Sequence, residues 1–205
     1  MFLLRKLLSN LGSDKTDANQ FGYKFDVSSR SNYLFNTGIA NVAKADLCLL
    51  VGADLRQASP VLNARIGKMV RSGDMRVARV GEADEQTYDI DELGDDVSLL
   101  EAILAGKGDF VKRLKKAELP VIIVGDGVLS RSDGHGILAL VHAIVEKYNI
   151  VNATWNGFNI LHSHASMMGG LDVGFYYGKS GNGTADILKQ SRDGTVRMLY
   201  LLGAD

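Results

Sequence analysis

The apolar run Val121-Ile122-Ile123-Val124 leads into Gly125-Asp126-Gly127-Val128-Leu129-Ser130, which fits a G-x-G-x-x-G phosphate loop at every position but the last. In that motif glycines let backbone N–H groups close on a pyrophosphate at a helix start. A carboxylate about 20 residues further on holds the ribose. Here Arg131-Ser132-Asp133-Gly134 separates the loop from the next helical pattern, and no acidic residue ends a following strand at that distance. What remains is a strand end where a missing Cβ admits a ligand or another stretch of backbone.

The other chemical signals are weaker. Gly178-Lys179-Ser180 looks like the end of a P-loop, but Gly174 precedes it by three intervening residues instead of four, and no apolar strand leads in. Asp89-Ile90-Asp91-Glu92-Leu93-Gly94 opens like a calcium loop, yet Leu93 stands where an oxygen ligand is required and Leu100 where the bidentate glutamate belongs. That stretch reads as a solvated acidic connection whose Asp95 or Asp96 caps the next helix. His162-Ser163-His164 could hold a metal from a strand but not from a helix, where imidazoles two residues apart diverge. Met167 and Met168 favour helix there, and no third ligand is close in sequence, so no metal is expected. With no G-x-S-x-G elbow either, no catalytic residue is assigned. The single cysteine, Cys48, lies inside an apolar run and reads as a small buried hydrophobe. It provides neither a disulfide framework nor an iron–sulfur ligand set within these residues.

The elements that must position these residues follow from a pattern that occurs three times. Leu49-Leu50-Val51-Gly52-Ala53-Asp54, Val121-Ile122-Ile123-Val124-Gly125-Asp126 and Tyr200-Leu201-Leu202-Gly203-Ala204-Asp205 each run from apolar residues into glycine and aspartate. A short apolar run ending in glycine is the signature of a strand buried on both faces of a parallel sheet, and ligands of such sheets bind at the carboxyl ends of the strands. Strands are expected at 47–51, 76–81, 121–124 and 196–202, the second nearer an edge. Ser59-Pro60 starts a helix that Gly73 ends. Further helices are expected at 97–105, 110–118, 136–148, 160–168 and 184–190, together with an amphipathic helix over the leucines at 3, 4, 7, 8 and 11, preferred to a presequence. Alternating strands and helices predict an α/β fold: Rossmann-like parallel sheets with helices on both faces. The basic segment at 106–119 is the candidate boundary between a unit at 1–116 and a second, incomplete unit at 117–205.

A net charge of −1 gives no electrostatic case for nucleic acid, and no apolar run approaches the length of a membrane span, so neither nucleic acid nor direct membrane insertion is expected.

Several segments in order then resemble one family. They are Ser31-Asn32-Tyr33-Leu34-Phe35-Asn36, Ala45-Asp46 leading into Leu49-Leu50-Val51-Gly52, Pro60-Val61-Leu62-Asn63-Ala64-Arg65-Ile66, and Thr87-Tyr88 followed by Leu93-Gly94-Asp95. Asn159-Ile160-Leu161-His162, Leu171-Asp172-Val173-Gly174 and Leu201-Leu202-Gly203-Ala204-Asp205 complete the set. From about Arg30 to Asp205 the chain resembles the large iron–sulfur subunit of NADH:quinone oxidoreductase (respiratory complex I), in its molybdopterin-oxidoreductase-like region. The resemblance implies one α/β unit, 1–116, inserted into another, and a scaffold role without a bound pterin. Iron–sulfur clusters are implied only for a cysteine-rich part outside these residues, and no cofactor is expected in this chain. The implied partners are the other subunits of the peripheral arm and the remainder of the same subunit. The implied address is the matrix side of the inner mitochondrial membrane or the cytoplasmic side of a bacterial membrane. Gly52, Asp54, Arg56, Gly125, Asp126, Gly127, Gly203 and Asp205 are candidates for a vestigial cofactor pocket. The alternative is a working module for molybdopterin-guanine dinucleotide or another nucleotide. A strand at 196–202 with no loop after it is expected to leave an unpaired edge.

Overall fold

The computed structural model describes residues 1–205 except 20, 83–84, 179–182 and 204–205. In chain order the elements are α1 (Phe2–Asn10), β1 (Leu47–Val51), α2 (Leu55–Ala58), α3 (Pro60–Ser72), β2 (Arg76–Val80), β3 (Asp91–Gly94), α4 (Ser98–Leu104) and α5 (Asp109–Leu114). Then come β4 (Pro120–Val124), α6 (Asp126–Leu129), α7 (Gly134–Lys147), β5 (Phe158–Ile160), α8 (Ala165–Asp172) and α9 (Thr184–Arg192). Two units divide them: Leu34–Ser163 carries all five strands, and Met1–Tyr33 with His164–Asp205 forms the other.

Two of the three apolar runs become the centre of one parallel sheet. β1 and β4 pair from Leu47 beside Pro120 to Val51 beside Val124, and every residue of both is buried. Pro120 is tolerated because it is the first residue of its strand. β2 and β3 add on the far side of β1, and β5 adds beyond β4, giving the order β3-β2-β1-β4-β5 with all pairs parallel. Alternation along the strands sends Cys48, Leu50, Val77, Val121 and Ile123 to one face, where Leu62 and Ile66 of α3 cover them. The intervening residues face the opposite side, and there α4 packs on α7. Helix α3 starts where the sequence implies, with Pro60 at its first position, although the Ser59 side chain before it makes no capping bond, and it ends at Gly73 in the left-handed conformation.

Four expectations are corrected. The boundary placed between 116 and 117 falls within the sheet, because β1 from one side of it pairs with β4 from the other. The acidic connection contains the edge strand β3, which moves β2 one place inward. Edge position suits its charge: Asp91 pairs with Arg113, and Glu92 takes both N–H arms of Arg79 at 3.0 and 2.5 Å. Arg79 itself is 2% exposed. The helix expected at 160–168 splits into β5 and α8, so His162 and Ser163 lie on the connection between them and His164 stands before α8. Strand β5 escapes its pattern because its middle residue, Asn159, is polar and fully buried, held by Thr37 and by the carbonyl of Gly157.

The fourth correction concerns the third apolar run. Residues 196–202 form no strand; Met198, Leu199, Tyr200, Leu201 and Leu202 are 41–75% exposed. They belong to a unit that has no strand among the described residues, and a strand without a neighbour has no ladder to satisfy its backbone. That unit is held instead by side chains. The Arg30 guanidinium donates twice to Asp172 at 2.8 Å, Tyr33 Oη donates to the same carboxylate at 2.9 Å, and Asp17 accepts from the Thr184 amide and hydroxyl.

Candidate functional site

The sheet order reverses between β1 and β4, and the chain leaves both strands on the same side, which is where α/β sheets bind ligands. A cleft of about 670 Å³ lies there, reached by the loops after β1, β2 and β4 and by Leu161 and Ser163 after β5.

The glycines of this face are committed to one another. Gly52 has φ +53°, and a Cβ on it would come within 2.9 Å of the Val128 amide nitrogen. A Cβ on Gly125 would lie 2.5 Å from Ala53 Cα and 2.6 Å from the Gly52 carbonyl oxygen, and one on Gly127 would lie 2.7 Å from that oxygen. The glycine N–H donors are engaged in the same closure. Gly52 N–H donates to the Val80 carbonyl at 2.9 Å, Gly125 N–H to Val51 at 3.0 Å and Gly127 N–H to Gly52 at 2.9 Å. The absent Cβ atoms therefore admit backbone from the neighbouring loop.

The charges of the cleft run against an anion. Asp54, Glu82, Asp95 and Asp126 line it, and the single lining cation among the described residues, Arg131, is forked onto Asp133 at 2.7 Å through both of its arms. That contact holds the Asp133 carboxyl below the ordinary carboxylate range. Asp54 caps α2 by accepting from the Gln57 amide at 3.0 Å, so a carboxylate already occupies the helix end that a phosphate would use. Asp126 accepts from the Ser163 hydroxyl at 2.6 Å. A pterin-guanine dinucleotide brings a diphosphate, which needs free amide donors and positive charge. Among the described lining residues the glycine amides are spent and the one cation is paired, so these residues do not fit that group.

Of the sequence-chosen residues, Gly52, Asp54, Gly125, Asp126 and Gly127 meet at this cleft. Arg56 turns away, its guanidinium donating to the Glu85 carbonyl at 2.9 Å. Gly203 lies in the other unit, and Asp205 is outside the described residues. So are Lys179 and Ser180 of the P-loop-like segment. Sequence reasoning missed Gln57, Glu82, Asp95, Arg131 and Ser163 as lining residues. Asp95 could have been found had the acidic stretch been read as an edge strand, since it follows β3 directly. Cys48 lies fully buried in β1, and burial pushes its thiol up to about 12. Among the described residues no three His, Cys, Asp or Glu side chains are grouped to hold a metal ion.

The geometry defines a Rossmann-type parallel α/β sheet whose switch-point loops have closed on each other. The family model for molybdopterin oxidoreductases matches residues 1–205, and the chain belongs to that family. Over its full length it is 53% identical to the NADH-quinone oxidoreductase subunit lettered G in Rickettsia felis and 55% identical to its counterpart in Rickettsia conorii, covering 29% of each. It is 36% identical over 218 residues to the NADH-ubiquinone oxidoreductase 75 kDa subunit of Reclinomonas americana, covering 31% of it. The chain thus spans under a third of the relatives it matches.

Proposed function

We propose that this chain is a structural, non-catalytic segment of the large subunit of an NADH:quinone oxidoreductase. The observation that carries the reading is the closure of the cleft: the glycine amides bond to neighbouring backbone, the glycine spaces are filled by the adjoining loop, and carboxylates line what is left. The names of the relatives supply the complex, and the binding alternative finds no free glycine amide and no unpaired cation among the described lining residues. In this reading Gly52, Asp54, Gly125, Asp126 and Gly127 are the relic of a pocket, the glycines kept because they join β1 to β4, Asp54 because it caps α2 and Asp126 because it holds Ser163. Electron transfer, with its iron–sulfur clusters, belongs to other parts of the subunit, and the partners are that remainder and the neighbouring subunits of the peripheral arm. No helix among the described residues is long and apolar enough to cross a membrane. The proposed attachment is through those partners, on the matrix or bacterial cytoplasmic side.

Turnover counted per assembled complex tests this. In a bacterial enzyme whose large subunit carries this segment, Asp126→Asn leaves NADH:quinone activity per complex within about twofold, whereas a loss of about tenfold or more would make the cleft part of the chemistry.

A further inference from the structure

Within the sheet-bearing unit the arginines divide by whether the chain itself uses them. Arg56, Arg79, Arg113 and Arg131 each bond to an oxygen of the chain: the Glu85 carbonyl, Glu92, Asp91 and Asp133 respectively. Arg65, Arg71 and Arg76 make no hydrogen bond or ion pair among the described residues, and neither does Lys68 between them. These cations are exposed and lie on α3 and on the first residue of the strand that follows it. Helix α3 contains no Asp or Glu, so no carboxylate three or four residues away can pair with its cations. Its inner side buries Leu62 and Ile66, while its outer side presents Val61, Ala64, Arg65, Lys68 and Arg71 at helical spacing, with Val61 69% exposed. Arg71 in the last turn offsets the helix dipole, but Arg65 and Lys68 stand mid-helix, where the dipole offers nothing. The outer face is thus apolar at one end and cationic along the rest, on a helix whose other side is already packed into a closed core.

We propose that the outer face of α3 is a docking surface for an acidic helix of a neighbouring subunit of the complex. From Arg65 to Arg71 the stripe runs about 9 Å along the helix axis, too far for one phosphate to span and matched by carboxylates three or four residues apart on a second helix. The Asp74 carboxylate, exposed and bonded to the Ser72 hydroxyl at 2.6 Å, closes the end of the stripe against a continuous polyanion such as a nucleic acid or a lipid surface. Surfaces that this chain buries within its own fold are apolar, as β1 and β4 are. Guanidinium groups held free on a folded surface suit contacts between separately folded chains, where arginine is enriched and charge sets register. The inference rests on the scaffold reading, which supplies the complex, yet the two fail differently: a catalytic cleft appears in turnover per complex, an idle stripe in crosslinking and assembly.

Carbodiimide crosslinking of the intact complex, in a bacterial enzyme whose large subunit carries this segment, reads the partner directly. The expected product is an amide between Lys68 Nζ and an Asp or Glu of another subunit. A product confined to the large subunit itself, or none at Lys68, overturns the proposal. As a second readout, Arg65→Glu combined with Lys68→Glu lowers the amount of assembled complex by about tenfold or more, while the same reversal at the exposed Lys115 and Lys116 changes it by less than about twofold. The isolated chain carrying the α3 pair of substitutions keeps the unfolding midpoint of the unaltered chain, and Lys68→Arg, which keeps the charge, leaves assembly unchanged. Assembly unaffected by the α3 pair, an equal loss from the control pair, or a fallen midpoint contradicts the docking role.

Discussion

The first two copies of the apolar–Gly–Asp pattern and the third are nearly the same sequence with opposite outcomes. Leu50 and Ile123 are fully buried between sheet neighbours, while Leu201 is 70% exposed and has no ladder. Gly125 is pressed against the Ala53 backbone, while a Cβ at Gly203 would meet nothing within 4 Å. A strand pattern therefore encodes what a segment can bury, and the neighbour decides whether it does. The same difference separates the two units: the sheet-bearing one has closed its core, and the other leaves α1 leucines and the 198–202 run in water.

The largest contrast lies in thiol reactivity. Cys48 in the first copy should react with a maleimide on the order of 10³-fold or more slower than a cysteine placed by Leu201→Cys in the third, because its reaction waits on opening of the sheet. Equal rates in the native chain would mean that β1 is not held as described.

Gly125→Ala is expected to destabilise the sheet-bearing unit by about 3 kcal/mol, the upper end of overpacking costs, since the added methyl meets backbone that cannot swing aside. Gly203→Ala should cost roughly 1 kcal/mol or less, from its φ of +60° alone. Denaturant midpoints of the two variants measure the gap, and comparable losses would break the comparison.

The smallest effect concerns the aspartate of the first copy. Asp54→Ala should remove about 1 kcal/mol by uncapping α2. Asp54→Asn, which still accepts from the Gln57 amide, should restore most of it. A larger effect of the asparagine variant than of the alanine variant would show that the charge, not the cap, is what matters there.

What could be read in advance follows from where each element gets its stability. Strands β1 and β4 were legible because burial on both faces leaves an uninterrupted apolar run. Strand β3 was not, because Asp91 and Glu92 are held in place by Arg113 and Arg79, partners distant in sequence. Strand β5 hid behind Asn159, whose burial is made tolerable by Thr37 more than a hundred residues away. At the cleft the glycines were visible but their occupant was not: a missing Cβ reads the same whether a phosphate or the Gly52 carbonyl comes to fill it. The run at 196–202 was read correctly as apolar and as lacking a neighbour on one edge, and wrongly as a strand, since a strand needs a neighbour on at least one edge.

The proposed closure of the switch-point loops by backbone and carboxylates predicts that no dinucleotide is held there. Calorimetric titration of the chain with pterin-guanine dinucleotide, NADH and GTP is its most direct test. The account predicts no saturable heat for any of them up to millimolar ligand; saturable binding at micromolar concentration, abolished by Asp126→Arg or by a bulky residue at Gly127, would contradict it.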